Sequence, residues 1–168
     1  MKNIVTLVVV LIMSVVNSVA QINTELYERK VLAKLNKYRI DNGLDTFVDY
    51  NMVRTVAKME FDFETKCSKC GDNPKFNSNM QKVLGINVYK SYNAKIVDFW
   101  DLNNLIIGND VEEVLSSEVV KKFRTDKRED IISKSLKGVS DNSTYYIGIY
   151  SQVKDNIFYS ILILYVTP

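Results

Sequence analysis

Cys67 and Cys70, in the stretch KCSKCGD, are the first side chains whose type and spacing bear on chemistry. A CxxC pair can ligate a metal, cycle between thiol and disulfide, or lock a turn. Structural zinc needs four ligands, and neither a second cysteine pair nor any histidine exists to complete a set. A thioredoxin-like pair opens a helix after a strand, whereas this one lies in a polar stretch with Gly71 and Pro74 nearby. A plain disulfide suits an exported protein. Closing so short a loop pins a turn more than it stabilises a fold.

The chain of 168 residues contains no histidine. That excludes Ser-His and Cys-His nucleophile pairs, histidine acid–base chemistry and His-ligated zinc. Any acid–base work falls to Asp and Glu. Asp126, Glu129 and Asp130 follow the basic run Lys121-Lys122-Phe123-Arg124. Two readings stay open for them: oxygen ligands for a hard cation, or surface acids that balance Lys127 and Arg128. Paired carboxylates divide acid and base roles only where their environments separate their pKa values.

Asn36 and Arg39 raise a different question. In VLAKLNKYRIDNGL, Leu32, Leu35, Asn36 and Arg39 share one face at helical spacing, so an amide and a guanidinium interrupt an apolar stripe. Either Arg39 snorkels at an edge, or both are buried anchors that hydrogen-bond backbone or an acid.

The elements that position these groups begin after residue 20. Lys2, the apolar run Ile4 to Val16 and the small residues Ser18-Val19-Ala20 read as a signal peptide over 1–20, cleaved after Ala20. The run is shorter than the roughly 20 apolar residues of a transmembrane span, and no later stretch offers one. Residues 21–168 have the size of a single domain, given that domains commonly hold roughly 100–150 residues. The net charge of +2 argues against a nucleic-acid or polybasic membrane binder.

Periodicity predicts a helix from about Glu25 to Asn42 that stops at Gly43, then a short extended link over Asp45 to Phe47. A second helix, capped by Asp49, carries Met52, Val53, Val56, Met59, Glu60 and Phe63. Thr65 to Met80 reads as a loop, Val83 to Tyr89 as a strand, and Lys95 to Leu105 as a short helix. Asp110 to Phe123 is a further helix, and Glu129 to Lys137 a short helical piece. Tyr145 to Gln152 and Ile157 to Val166 form a hairpin whose second strand is apolar enough to be central. Helices first and a hairpin last predict an α+β domain.

In this order the motifs resemble the CAP superfamily of cysteine-rich secretory proteins, antigen 5 and pathogenesis-related proteins, and their bacterial relatives. Asn36-Lys37-Tyr38-Arg39 is similar to the Asn-x-x-Arg signature of the family's first helix. Gly85-Ile86-Asn87-Val88 stands in the place of its Gly-Glu-Asn motif, and Phe123-x-x-Asp126-x-x-Glu129 has the spacing of its Trp-x-x-Ser-x-x-His helix end. YIGIYSQVKDNIFYSILIL is similar to its closing hairpin.

The resemblance implies a three-layer α-β-α sandwich with an antiparallel sheet. It also implies a cleft at Ile86, Asn87, Asp126 and Glu129, with Asn36, Arg39 and Gly85 as fold signature. The family's cleft is typically lined by two histidines and two acids, and some members hold a divalent metal. Here Ile86 replaces the motif's glutamate and Glu129 its histidine, so no metal and no cofactor are expected.

The expected function is that of a secreted or periplasmic, non-catalytic module that binds a lipid or sterol, another extracellular ligand or a protein partner. No nucleic acid is expected among its partners. The alternative is a secreted enzyme, either a carboxylate hydrolase using Glu129 with Asp126 or a thiol oxidoreductase using Cys67 and Cys70.

Overall fold

The computed structural model describes residues 22–67, 70–85, 92–102, 110–125 and 143–167. In chain order these form α1 (Thr24–Asp41), β1 (Val48–Asp49), α2 (Asn51–Glu64), α3 (Phe76–Leu84), β2 (Tyr92–Asp101), α4 (Val111–Thr125), β3 (Thr144–Lys154) and β4 (Ile157–Thr167). The expected signal peptide over 1–20 and the helical piece at Glu129 to Lys137 lie outside the described residues.

The α1 helix starts where Asn23 Oδ1 accepts from the Leu26 N–H at 3.0 Å, which satisfies one of the free donors of a first turn. It stops where the Asn42 and Gly43 N–H groups return to the carbonyls of Arg39 and Ile40, with Gly43 at φ +69°. Between these ends Tyr27, Val31, Leu35 and Arg39 recur every fourth residue and are all buried.

The strands run in the order β1-β3-β4-β2. β3 and β4 are antiparallel neighbours joined through Asp155 and Asn156, whose φ values of 51° and 61° are those of a tight type I′ turn. β2 lies antiparallel on the other side of β4, while β1 joins β3 in parallel, so the sheet is mixed rather than wholly antiparallel.

Strand alternation divides the core into two. Ile147, Ile149, Phe158, Leu162, Leu164 and Ile96 face α1 and α4, where they meet Val31, Leu35, Leu115, Val119 and Phe123. Ile161, Ile163 and Tyr165 face the opposite way and meet Val53, Val56, Ala57 and Phe61 of α2 and Met80 of α3. Fully burying one such aliphatic side chain is worth roughly 1.5–3 kcal/mol. β4, paired on both edges and covered on both faces, is therefore the centre of the structure.

Four sequence expectations need correction. Lys95 to Asp101, expected as the start of a short helix, belong to β2 instead, because Ala94, Ile96 and Trp100 fall on one face of the strand and Val97 on the other; residues 103–105 lie outside the described residues. The expected loop over Thr65 to Met80 contains the first half of α3, whose Met80 is fully buried. Val83 and Leu84 close α3 instead of opening a strand, and Gly85 at φ +64° is its left-handed C-cap. Asp49 does not cap α2. Tyr50 is its N-cap, and the helix is held to the sheet by the Tyr50 N–H bonding the Ile147 carbonyl at 2.9 Å.

Candidate functional site

The four cleft candidates, Ile86, Asn87, Asp126 and Glu129, lie outside the described residues. Gly85, next to the first pair, has the capping role given above. Cys67 and Cys70 are joined as a disulfide, with Cα atoms 5.4 Å apart, just beyond the end of α2.

Asn36 and Arg39 point from α1 onto the chain that returns to the sheet. The Asn36 amide brackets Phe47: Nδ2 donates to its carbonyl at 3.0 Å and Oδ1 accepts from its N–H at 2.7 Å. That pair replaces the hydrogen bonds a strand neighbour would make. Arg39 is 2% exposed and donates through Nε to the Asp45 carbonyl. Its guanidinium lies 4.3 Å from the Phe47 ring centroid and 4.5 Å from that of Tyr145. These contacts hold the Asp45–Phe47 link against the sheet and present neither side chain to a ligand.

A concave groove of about 620 Å³ lies between α1, the start of α2 and the edge of β3. Its floor is a clasp. Beyond Ile147 no described strand flanks β3 on the β1 side, so its backbone needs other partners there. Glu28, from α1, accepts the Ser151 N–H at 2.8 Å and the Ser151 hydroxyl at 2.9 Å on Oε1. On Oε2 it accepts from Arg54 Nε at 3.1 Å and Nη2 at 2.8 Å. Arg54, from α2, also donates through Nε to the Ile149 carbonyl at 3.0 Å. One side chain from each helical layer thus meets over the edge and stands in for the missing strand.

A carboxylate that accepts four hydrogen bonds is committed to holding geometry. Glu25, Arg29 and Asp49 line the same groove, and among the described residues none of them is held in an ion pair.

Gly148 makes the clasp possible. A Cβ at this position would lie 2.1 Å from the Arg54 nitrogen and 2.3 Å from the Val53 carbonyl carbon. The glycine lets the α2 backbone rest directly on β3, which brings Arg54 within reach of Ile149.

A second cluster lies on the opposite side of the sheet, next to the disulfide. Glu60 of α2 is completely buried, and Asn73 Nδ2 donates to its Oε1 at 2.6 Å. Its Oε2 has no hydrogen bond of good geometry, although Lys95 Nζ stands 3.3 Å away. The same ammonium lies 3.5 Å from Glu64 and 3.4 Å from Asp72. Burial pushes the Glu60 carboxyl above its ordinary 4.5, against the pull of Asn73 and Lys95. Burial also works against the Lys95 charge, but Glu60, Glu64 and Asp72 more than offset it and hold its pKa above 10.5. Lys95 occupies the place a cation would take among three carboxylates. Among the described residues no group of three His, Cys, Asp or Glu side chains is arranged to hold a metal.

Neither the clasp nor the buried cluster was foreseeable from spacing. Glu28 and Arg54 are 26 residues apart, and Glu60, although its spacing puts it on the stripe of its helix, has partners that lie 13 and 35 residues further along the chain. The one available signal was Gly148, a glycine inside a strand pattern, which marks a close backbone approach.

No helix among the described residues is long and apolar enough to cross a membrane. No family model matches the chain, and no curated protein matches it. Among solved structures it aligns with an outer surface protein from Borrelia burgdorferi, with a TM-score of 0.56 over 86% of this chain and 95% of that one. Identity is 14%, so the likeness is one of fold alone: this chain has an α+β fold similar to that of a bacterial outer surface protein.

Proposed function

We propose that this chain is an exported, CAP-like, three-layer module that works outside the cytoplasm by binding a polar ligand or a protein partner, without catalysis. The observation that carries this reading is the groove over the β3 edge. It is a pre-formed concavity whose rim bears charged groups while its floor residues, Glu28 and Arg54, are consumed in holding the fold. Such a surface can select a partner by charge, while its floor side chains are committed to the fold. A charged rim also favours a polar partner over a lipid or sterol.

Export is supported by the signal-like segment over 1–20, by the Cys67–Cys70 disulfide, and by a fold shared with an outer surface protein. Arg39, buried, and Asn36, half-buried, act as anchors of the CAP-like fold, as the resemblance implies.

The test is a fusion of residues 1–20 to a reporter enzyme that is active only after export. Reporter activity, lost on replacing Val8 to Leu11 by charged residues, is the expected result, and an inactive fusion overturns export. The same purified chain is expected to show no insulin-reducing activity above a Cys67→Ser, Cys70→Ser variant. Activity confined to the parent would make it an oxidoreductase.

A further inference from the structure

The basic run Lys121-Lys122-Phe123-Arg124 divides in the folded chain. Phe123 is fully buried, and Lys122 turns to the sheet, 3.0 Å from Asp98 and 4.9 Å from the Trp100 ring centroid. Lys121 and Arg124 turn the other way, towards α1. There they meet Lys34 and Lys37 across a second groove of about 700 Å³ that also includes Tyr38 and Ser117.

The two helices lie side by side in the same direction, and their seam changes character along its length. At its start, acids of α4 answer the lysines of α1. Lys30 Nζ is 2.7 Å from Asp110 and 3.2 Å from Glu113, and Lys34 bonds Glu113 and, at 2.6 Å, the Ser117 hydroxyl. One turn on, Lys37 continues the α1 ladder, but α4 presents Lys121 and Arg124 instead of acids. The groove opens at that point, and among the described residues all four of its charged lining side chains are cations.

Lys34 is already engaged by Glu113, and among the described residues the other counter-charges nearby are exposed and weak. Lys37 pairs with Asp41 at 3.1 Å and Lys121 with Glu118 at 3.4 Å, each within its own helix, and such pairs are worth roughly 0.3–0.5 kcal/mol. The Arg124 guanidinium rests 5.6 Å from the Tyr38 ring centroid. α1 ends here, and the exposed carbonyls of a last turn favour nearby cations.

We propose that this groove binds a sulfated polysaccharide, a polyanion found at cell surfaces, which the exported location proposed above would let it meet. A recessed row of cations fits a narrow chain of repeated anions better than the plane of a lipid bilayer. With a net charge of only +2, the molecule lacks the broad field that nucleic-acid binding draws on. Hydroxyls and amides at Ser117, Thr125 and Asn42 add partners suited to sugar hydroxyls.

The experiment titrates the purified chain into a fluorescein-labelled heparin oligosaccharide and follows anisotropy in low and moderate salt. Binding that weakens with salt is expected, and a Lys121→Glu, Arg124→Glu variant should bind at least about tenfold more weakly, the loss of two charge-assisted contacts. A Lys58→Glu change on the exposed side of α2, outside both grooves, should leave binding unaltered. Circular dichroism on each variant separates loss of fold from loss of contact. Lys121→Gln, Arg124→Gln serves in place of the charge reversal if that variant misfolds. Equal binding by parent and groove variant, or an equal loss with Lys58→Glu, overturns the proposal. So does equal affinity for polyglutamate or for phosphatidylglycerol vesicles. Failure here with an active export fusion removes the polysaccharide and leaves the exported module standing.

Discussion

On the α1–α4 face of the sheet, Arg39 is buried with a carbonyl acceptor and two aromatic faces around its charge. On the α2–α3 face, Glu60 is buried with one oxygen satisfied and the other left to an ammonium 3.3 Å away. The first face carries its polar groups at the ends of well-packed aromatic clusters. Tyr27, for example, donates to Ser160 Oγ at 2.7 Å beneath a T-shaped contact with Phe158. The second face is tighter, with a helix backbone pressed on Gly148, and its charge is less fully compensated. A guanidinium delocalises its charge and tolerates such a site, whereas a carboxylate with a vacant lone pair bears the full cost of desolvation.

The largest way to break this contrast is Gly148→Val. A side chain there must push α2 off β3, so the variant should lose about 3 kcal/mol or more, or fail to fold, in urea denaturation. An unchanged urea midpoint would mean that α2 does not rest on the sheet. Arg39→Leu comes next. It leaves the Asp45 carbonyl without this donor and removes both ring contacts, at a cost of about 2–4 kcal/mol with no effect on ligand binding. A loss under about 0.5 kcal/mol would return Arg39 to the surface.

Tyr27→Phe tests the first face more gently. It deprives the buried Ser160 of one partner and should cost about 1 kcal/mol, read from the thermal midpoint.

Glu60→Gln has the smallest effect, and its signature is pH. Because the folded carboxyl titrates above its ordinary 4.5, protonation stabilises the native state. That contribution is complete below pH 4.5 and is lost as pH rises through the elevated folded value. Relative to Glu60→Gln, the parent should therefore weaken from pH 4.5 upward. Parallel stability profiles for the two proteins would show that Lys95 fully compensates the charge.

The elements whose apolar residues follow a clean period were legible in the sequence. The α1 stripe, the α4 stripe and the terminal hairpin all fall where the pattern put them, within the usual uncertainty at element ends. β2 was misread because its core contacts are interrupted by Lys95 and Asp98, which are charged for tertiary reasons: one meets Glu60, the other Lys122. α3 was missed although Phe76, Met80, Val83 and Leu84 stand at helical spacing, because the Asn-, Ser- and Lys-rich stretch read as a loop and Val83 and Leu84 were drawn into the β-branched run that follows. The groove clasp stayed hidden for a different reason. It is built from residues distant in sequence that answer a defect of the sheet, an open edge no local pattern announces.

The position of β4 has a consequence for how the chain folds. β2 and β3 both precede it in the chain, yet they pair with it and not with each other. Until β4 docks, β2 has no described strand beside it and β3 has only the two residues of β1, so neither half of the core can close. Closure on both faces of the sheet is thus tied to the docking of this one strand.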